Sequence, residues 1–161
     1  MMPFHPLIPK SVIADELLDF AMGSGTWHSY HNFDVVQVPF ELAYSDPVIA
    51  GIGAKYPLAV GILRLDPYTT YDWHVDTNRG VCINMLLNDV KSQCLFSEGE
   101  TEATHVFLEL KYQPKTLYVF NNQVPHMVIN YAQTRYLMSV EFQANKNELT
   151  YGNFLKEMEI A

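Results

Sequence analysis

Cysteine is scarce in this chain of 161 residues. Cys82 and Cys94 are the only two and are not spaced as C-x-x-C, which excludes a disulfide framework and gives no support to a zinc ribbon or dithiol redox site. Such usage suits a reducing compartment, the cytoplasm. Basic residues are few as well. Ten Lys and Arg against 18 Asp and Glu leave a formal net charge of -8, so the chain has no basic stripe for nucleic acid, and polyanionic partners are disfavoured. Long apolar runs are missing too. MMPFHPLIPK at the N-terminus has three prolines and no continuous apolar segment, and the most apolar later stretch, 47–63, is broken by Lys55 and Pro57. Neither a signal peptide nor a membrane span is expected. There are no internal repeats, low-complexity tracts or composition shifts to mark a linker, which points to one domain over 1–161.

What is present is the material for a core, since 48% of residues are hydrophobic and only 17% charged. A chain of this length buries about 70% of its unfolded surface, so stability requires no structural metal, and any metal would be functional. The spacing of Val12, Leu17, Leu18 and Phe20 predicts a helix over 12–22, with Ser11 as cap and Gly23 and Gly25 as stop. From Phe33 onward the pattern changes to eight short apolar or alternating runs. These are FDVVQV, LAVGILRL, GVCINMLL, SQCLF, THVFLEL, TLYVF, PHMVI and RYLMSVEF, separated by turn-prone residues and read as strands. Asp46 to Lys55 reads as a short helix, and Asn147 to Ile160 returns to helical spacing, with Leu149, Phe154, Leu155 and Met158 placed to cover a sheet. Many short strands bracketed by single helices predict a mainly β fold with flanking helices, a two-sheet antiparallel sandwich of jelly-roll type whose interior can hold a ligand.

The most informative local pattern is YDWHVDTNRG. His74 and Asp76 lie two apart, and a period of two puts both side chains on one face. His126 follows Pro125 at the head of the run MVI, where an imidazole can point into a barrel mouth. Two imidazoles and one carboxylate form the facial triad of mononuclear non-haem Fe(II), which leaves adjacent positions for a chelating cosubstrate and oxygen. The plainer alternative makes His74 and Asp76 a surface hydrogen bond and His126 a solvated turn residue. Arg135, nine residues after His126, opens the final strand, and periodicity leaves its facing open. Facing inward, its guanidinium would need an anion, which a dicarboxylate supplies.

With these residues the chain resembles the Fe(II)- and 2-oxoglutarate-dependent dioxygenases, over roughly Leu63 to Phe142. LRLDPYTTYDWHVDT and VPHMVINYAQTRYLMSVEF are similar to the ligand-bearing blocks of prolyl-hydroxylase-type members, and HVDTNRGVCINMLLND resembles aspartyl/asparaginyl-hydroxylase-like members. The resemblance implies a double-stranded β-helix, the jelly roll also found in cupins. It implies that His74, Asp76 and His126 bind Fe(II) and act in catalysis, and that Arg135 holds the distal carboxylate of 2-oxoglutarate. Asn84 and Tyr71 would touch the cosubstrate and Arg79 the substrate. Each also has an ordinary structural role open to it: a strand contact for Asn84, a cap on the sandwich for Tyr71 and a loop charge for Arg79. Leu137 and Leu65 depart from the family pattern, standing where a serine and a tyrosine are usual. The implied reaction uses O2 to oxidise 2-oxoglutarate to succinate and carbon dioxide while a C–H bond is hydroxylated, on a prolyl or asparaginyl/aspartyl side chain or a free amino acid. The competing class is a metal- or ligand-binding jelly roll without oxygenase activity.

Other features carry less. His28 and His31 form an H-x-x-H in TWHSYHNF, which lacks helix formers and reads as a solvated loop. Trp73 reads as packing, GIGAK as a turn of the chain, the acidic stretch Glu98 to Glu102 as a solvated loop, and both cysteines as buried thiols.

Overall fold

The computed structural model describes residues 1–97 and 107–160. In chain order the elements are β1 (Phe4–Pro6), α1 (Ala14–Gly23), β2 (His28–Tyr30), β3 (Phe33–Gln37), α2 (Phe40–Ala43), α3 (Pro47–Gly53), β4 (Leu58–Leu65), β5 (Thr70–His74), β6 (Val81–Leu86), β7 (Ser92–Ser97), β8 (Phe107–Leu110), β9 (Tyr118–Asn121), β10 (His126–Asn130), β11 (Arg135–Phe142) and α4 (Tyr151–Glu157). One sheet has seven strands in the order β1-β9-β6-β11-β4-β3-β2, and the other has four in the order β5-β10-β7-β8. The pairings are antiparallel, as in the two-sheet jelly roll that the sequence pattern predicts.

Alternation along the large sheet separates two environments. Leu58, Val60 and Ile62 of β4 and Met138, Val140 and Phe142 of β11 join Leu17 and Ala21 of α1 and Phe154 of α4 in the main hydrophobic core. The opposite face, with Ala59, Gly61, Leu63 and Leu65 of β4 and Arg135, Leu137, Ser139 and Glu141 of β11, lines a cavity between the sheets. A second cluster, Cys82, Cys94, Phe96, Leu110, Tyr118 and Phe120, packs at one side of that cavity. Burying these apolar groups at about 25 cal/mol per Å² holds the sandwich closed.

All eight expected strands are present, the one in THVFLEL being described from Phe107 onward. β1, β2 and β5 are additional. The helix expected over 12–22 starts at Ala14 instead, and Ser11 does not cap it. The Ser11 hydroxyl donates to Asp46 Oδ2 at 2.7 Å, a residue 35 positions away. Asp46 is fully buried and also accepts from the N–H groups of Val12, Val48 and Ile49, so one carboxylate caps α3 and ties it to the segment before α1. GIGAK forms the end of that helix rather than only a turn. The C-terminal helix is shorter than 147–160 and is capped by Thr150, while Leu149, Phe154, Leu155 and Met158 cover the core as expected. Gly80 is required by close approach: a Cβ there would lie 2.4 Å from the Leu149 carbonyl oxygen. TWHSYHNF contains β2 rather than being all loop, although His28 and His31 are exposed as expected. Glu98 to Glu102 lie outside the described residues.

Candidate metal centre

β5 and β10 are antiparallel neighbours in the small sheet, and their register sets His126 opposite His74. Asp76 follows two residues beyond His74. His74 Nε2 lies 3.5 Å and His126 Nε2 3.7 Å from the same atom, Asp76 Oδ1. The other ring nitrogens are fixed by the backbone: His74 Nδ1 is 2.7 Å from the Asp72 carbonyl oxygen and His126 Nδ1 is 2.7 Å from that of Val124. A carbonyl only accepts, so Nδ1 carries the proton in both rings and each neutral Nε2 turns a lone pair toward Asp76. Three electron-pair donors, all within 4.8 Å of one another, thus converge with no hydrogen between them in that state. Such a set is repulsive until a cation sits among it, and two imidazoles with one carboxylate suit a divalent transition metal. Among the described residues no other cluster of metal-ligating side chains occurs.

The carboxylate is held from behind. Asp76 Oδ2 accepts from Asn122 Nδ2 at 2.6 Å and pairs with Arg79 Nε at 3.3 Å, which leaves Oδ1 for the imidazoles. The Asp76 N–H donates to the Asn122 carbonyl, and Gln123 Nε2 donates to the carbonyls of Asp76 and Arg79. The turn from Asn121 to Pro125 therefore carries the clamp on Asp76 as well as the carbonyl that orients His126. Asn122 and Gln123 escaped the sequence reading; the amide-rich NNQ, separated from Pro125-His126 by Val124, is the signal that could have found them.

Burial, reinforced by the neighbouring His74, pushes the His126 imidazole down to about 4. Its neutral form is the one a metal binds. A histidine depressed in the folded state takes up its proton more readily when unfolded, so stability falls as pH drops from about 6.5 toward 4. Metal-free protein is expected to lose melting temperature across that window, and His126→Gln to flatten the loss. A melting temperature independent of pH between 6.5 and 4 in the parent would contradict the buried neutral assignment.

The triad faces a cavity of about 900 Å³ that runs along the inner face of the large sheet. Arg135 lines it and is 4% exposed. The facing that periodicity left open is thus inward, shared with Leu137 and Ser139. Arg135 Nε donates to Ser92 Oγ at 3.2 Å and its guanidinium lies 5.8 Å from the Tyr112 ring; no carboxylate among the described residues forms an ion pair with it. A buried cation in a cavity without a counter-ion is a receptor for an anion. Asn84 is buried on the same wall and accepts from the Cys82 thiol. Leu137 and Leu65, which stand where the family pattern has a serine and a tyrosine respectively, supply apolar wall. Tyr112 and Ser139 join the cavity from a loop and a strand that carry no local signal of it, and Ser92 stands behind Arg135 as the acceptor of its Nε.

Tyr71 stacks on His74, with ring centroids 3.9 Å apart and planes 9° apart, and lines the cavity. Burial and the nearby Asp76 raise its phenol above the ordinary value. Arg79 also faces the cavity, but it is committed to Asp76 and, at 3.5 Å, to Ser139 Oγ. Trp73 stacks on Phe107 at 5.4 Å, the packing role expected. Cys82 and Cys94 are buried and free, and burial pushes the Cys94 thiol up to about 12, so neither is poised as a nucleophile. No helix among the described residues is long and apolar enough to cross a membrane.

No protein-family model matches the sequence, and no curated protein matches it. The fold does have solved counterparts. A prolyl-4-hydroxylase from Pseudomonas putida superposes with a TM-score of 0.66 at 12% identity, covering 88% of this chain and 92% of that one. A prolyl hydroxylase from Trichoplax adhaerens, in complex with a hypoxia inducible factor oxygen degradation domain peptide fragment, gives 0.63 at 13% identity, over 87% and 83% of the two chains. HygX from Streptomyces hygroscopicus, with nickel, 2-oxoglutarate and hygromycin B bound, gives 0.64 at 11% identity, over 88% and 83%. At these identities the likeness is one of fold. The chain has the jelly-roll architecture on which these enzymes are built.

Proposed function

We propose that this protein is an Fe(II)- and 2-oxoglutarate-dependent oxygenase that hydroxylates a C–H bond. The observation that carries the reading is the pairing, in one cavity, of three converging metal donors with a buried arginine that has no ion-pair partner among the described residues. His74, Asp76 and His126 would hold the iron, and Arg135 would take the distal carboxylate of 2-oxoglutarate. Bound iron supplies the oxygen chemistry, in which O2 converts 2-oxoglutarate to succinate and carbon dioxide and the second oxygen atom goes to the substrate.

The chain's own contribution is positioning and exclusion. Asn122 and Arg79 fix the rotamer of Asp76, so that Oδ1 rather than Oδ2 meets the imidazoles. The Asp72 and Val124 carbonyls hold both histidines in the ligating tautomer. Asn84 and Tyr71, on opposite sheets of the cavity, would contact the cosubstrate, and Leu65, Leu137 and Val128 would keep water from its length. Arg79 is assigned a substrate contact at the mouth, through the Nη2 that its bonds to Asp76 and Ser139 leave over. The substrate is a peptide side chain, prolyl or asparaginyl/aspartyl, or a free amino acid. A peptide bound to the Trichoplax neighbour supports the first. The acidic charge balance disfavours nucleic acid, and the low cysteine usage favours a cytoplasmic setting.

Succinate formation tests this. Protein loaded with Fe(II) under air is expected to convert 2-oxoglutarate to succinate and carbon dioxide in equal amounts, slowly without substrate. Tight metal binding with no consumption of 2-oxoglutarate, across a panel of peptides and amino acids, would instead favour a metal-binding jelly roll without oxygenase activity.

A further inference from the structure

The cavity holds one charge that the proposed chemistry leaves unused. Asp76 is paired with Arg79, and Arg135 awaits a carboxylate, but Glu141 of β11 also lines the cavity. It is the exposed position in a strand otherwise buried or half-buried, and it shares the inward face with Arg135, Leu137 and Ser139. Among the described residues its carboxylate makes no ion pair and no side-chain hydrogen bond. Its strand partners are Ala59 of β4 and Cys82 of β6. Small side chains at Ala59 and Gly61 keep the floor beside it low, leaving room above for a ligand.

Register places this carboxylate relative to the metal donors. Cys82 pairs in turn with Phe120 of β9, and the Phe120 ring lies 5.0 Å from that of His126. Glu141 is therefore two strand spacings, about 10 Å, from the residue that packs on a metal ligand. Arg135 lies six positions away along the same strand, about 20 Å. A short diacid anchored at Arg135 and chelating the metal fills the inner part of that span. Glu141 stands at the open end, where a second molecule must enter.

We infer that Glu141 is a substrate-recognition residue and that the substrate, a free amino acid or a peptide with a basic group beside the side chain that is hydroxylated, carries a cationic nitrogen, an amine or a guanidine. The inference rests on the oxygenase reading and names the substrate class for it. A carboxylate accepts a charge-assisted hydrogen bond from a neutral donor too, but a cationic nitrogen adds charge attraction to that bond and gains most at such a site. The -8 balance of the whole chain steers cations toward such a cleft. Arg79 feels the Glu141 charge but forms no ion pair with it, its Nε and Nη1 being engaged by Asp76 and Ser139. Gln37, on the strand that pairs with Gly61, adds a neutral amide beside the site.

The test uses protein loaded with Mn(II) and 2-oxoglutarate, which binds without turnover. Proton relaxation of added small molecules reports their approach to the metal. The panel pairs cations with uncharged side-chain isosteres: butylamine with 1-butanol, L-lysine with L-norleucine, L-arginine with L-citrulline. At least one cation is expected to bind about tenfold more tightly than its partner, and Glu141→Gln to erase that ratio. Gln is nearly isosteric and the position is exposed, so the fold is not at stake. Equal binding within every pair, or a ratio unchanged by Glu141→Gln, would overturn the inference and leave the oxygenase reading standing. Failure of Mn(II) or 2-oxoglutarate to bind the parent protein would overturn both.

Discussion

Arg135→Ala is expected to weaken 2-oxoglutarate binding by about a hundredfold while leaving metal affinity and melting temperature unharmed. Two charge-assisted hydrogen bonds from one guanidinium contribute about 3 kcal/mol, and 1.4 kcal/mol is a factor of ten. The combination of effects is what discriminates. An arginine held only for structure would destabilise the fold when removed. Arg135, 4% exposed and with no ion-pair partner among the described residues, is an uncompensated charge in the metal-free protein, and deleting it relieves a burial cost. Isothermal titration with 2-oxoglutarate in the presence of Mn(II), set beside thermal melts of both proteins, separates the two cases. A lower melting temperature with unchanged cosubstrate affinity would make Arg135 a structural residue.

The second large effect belongs to the triad. His126→Ala removes one of three donors and is expected to abolish tight Fe(II) or Mn(II) binding and, with it, succinate formation. Asn122→Ala leaves every donor in place but frees the 2.6 Å hydrogen bond that holds Asp76 Oδ2. Partners of metal ligands contribute about 10–100-fold to affinity, so Asn122→Ala should fall between the parent and His126→Ala. Metal titration followed by Mn(II) electron paramagnetic resonance checks the order. Succinate made at the parent rate by His126→Ala would remove His126 from the metal site.

Much of this was legible in the sequence, and what was not has identifiable causes. The eight strands from Phe33 onward are runs of β-branched and aromatic residues that pack on one or both faces, and they announce themselves. β5 does not: it is an edge strand of the small sheet whose five residues, Thr70 to His74, are exposed or half-buried, so it lacks an apolar alternation. β1 and β2 are three-residue edge pairings, too short for any period. Ser11 was misread as a cap because its partner, Asp46, is distant in sequence and near only in the fold. Arg135 could be singled out but not oriented, since β11 is central and buried on both faces, which erases the inward and outward contrast. His74 and Asp76 lie together as their spacing suggested, and His126 meets them through the pairing of β10 with β5. The clamp of Asn122 and Gln123 on Asp76 bridges up to 47 positions, and although NNQ marks an amide-rich turn, nothing local says which carboxylate it holds.

Metal and cosubstrate must meet in one cavity if the proposed chemistry is right, and anaerobic absorbance tests that meeting most directly. Metal-free protein is titrated with Fe(II) and then with 2-oxoglutarate, while the visible region is watched for the metal-to-ligand charge-transfer band of a chelated 2-oxo acid. The expected result is a band in the parent protein, a band weakened at equal cosubstrate concentration in Arg135→Ala, and none in His126→Ala. Iron that binds tightly yet gives no band with 2-oxoglutarate would contradict the proposal and leave a metal-binding jelly roll in which Arg135 serves some other anion.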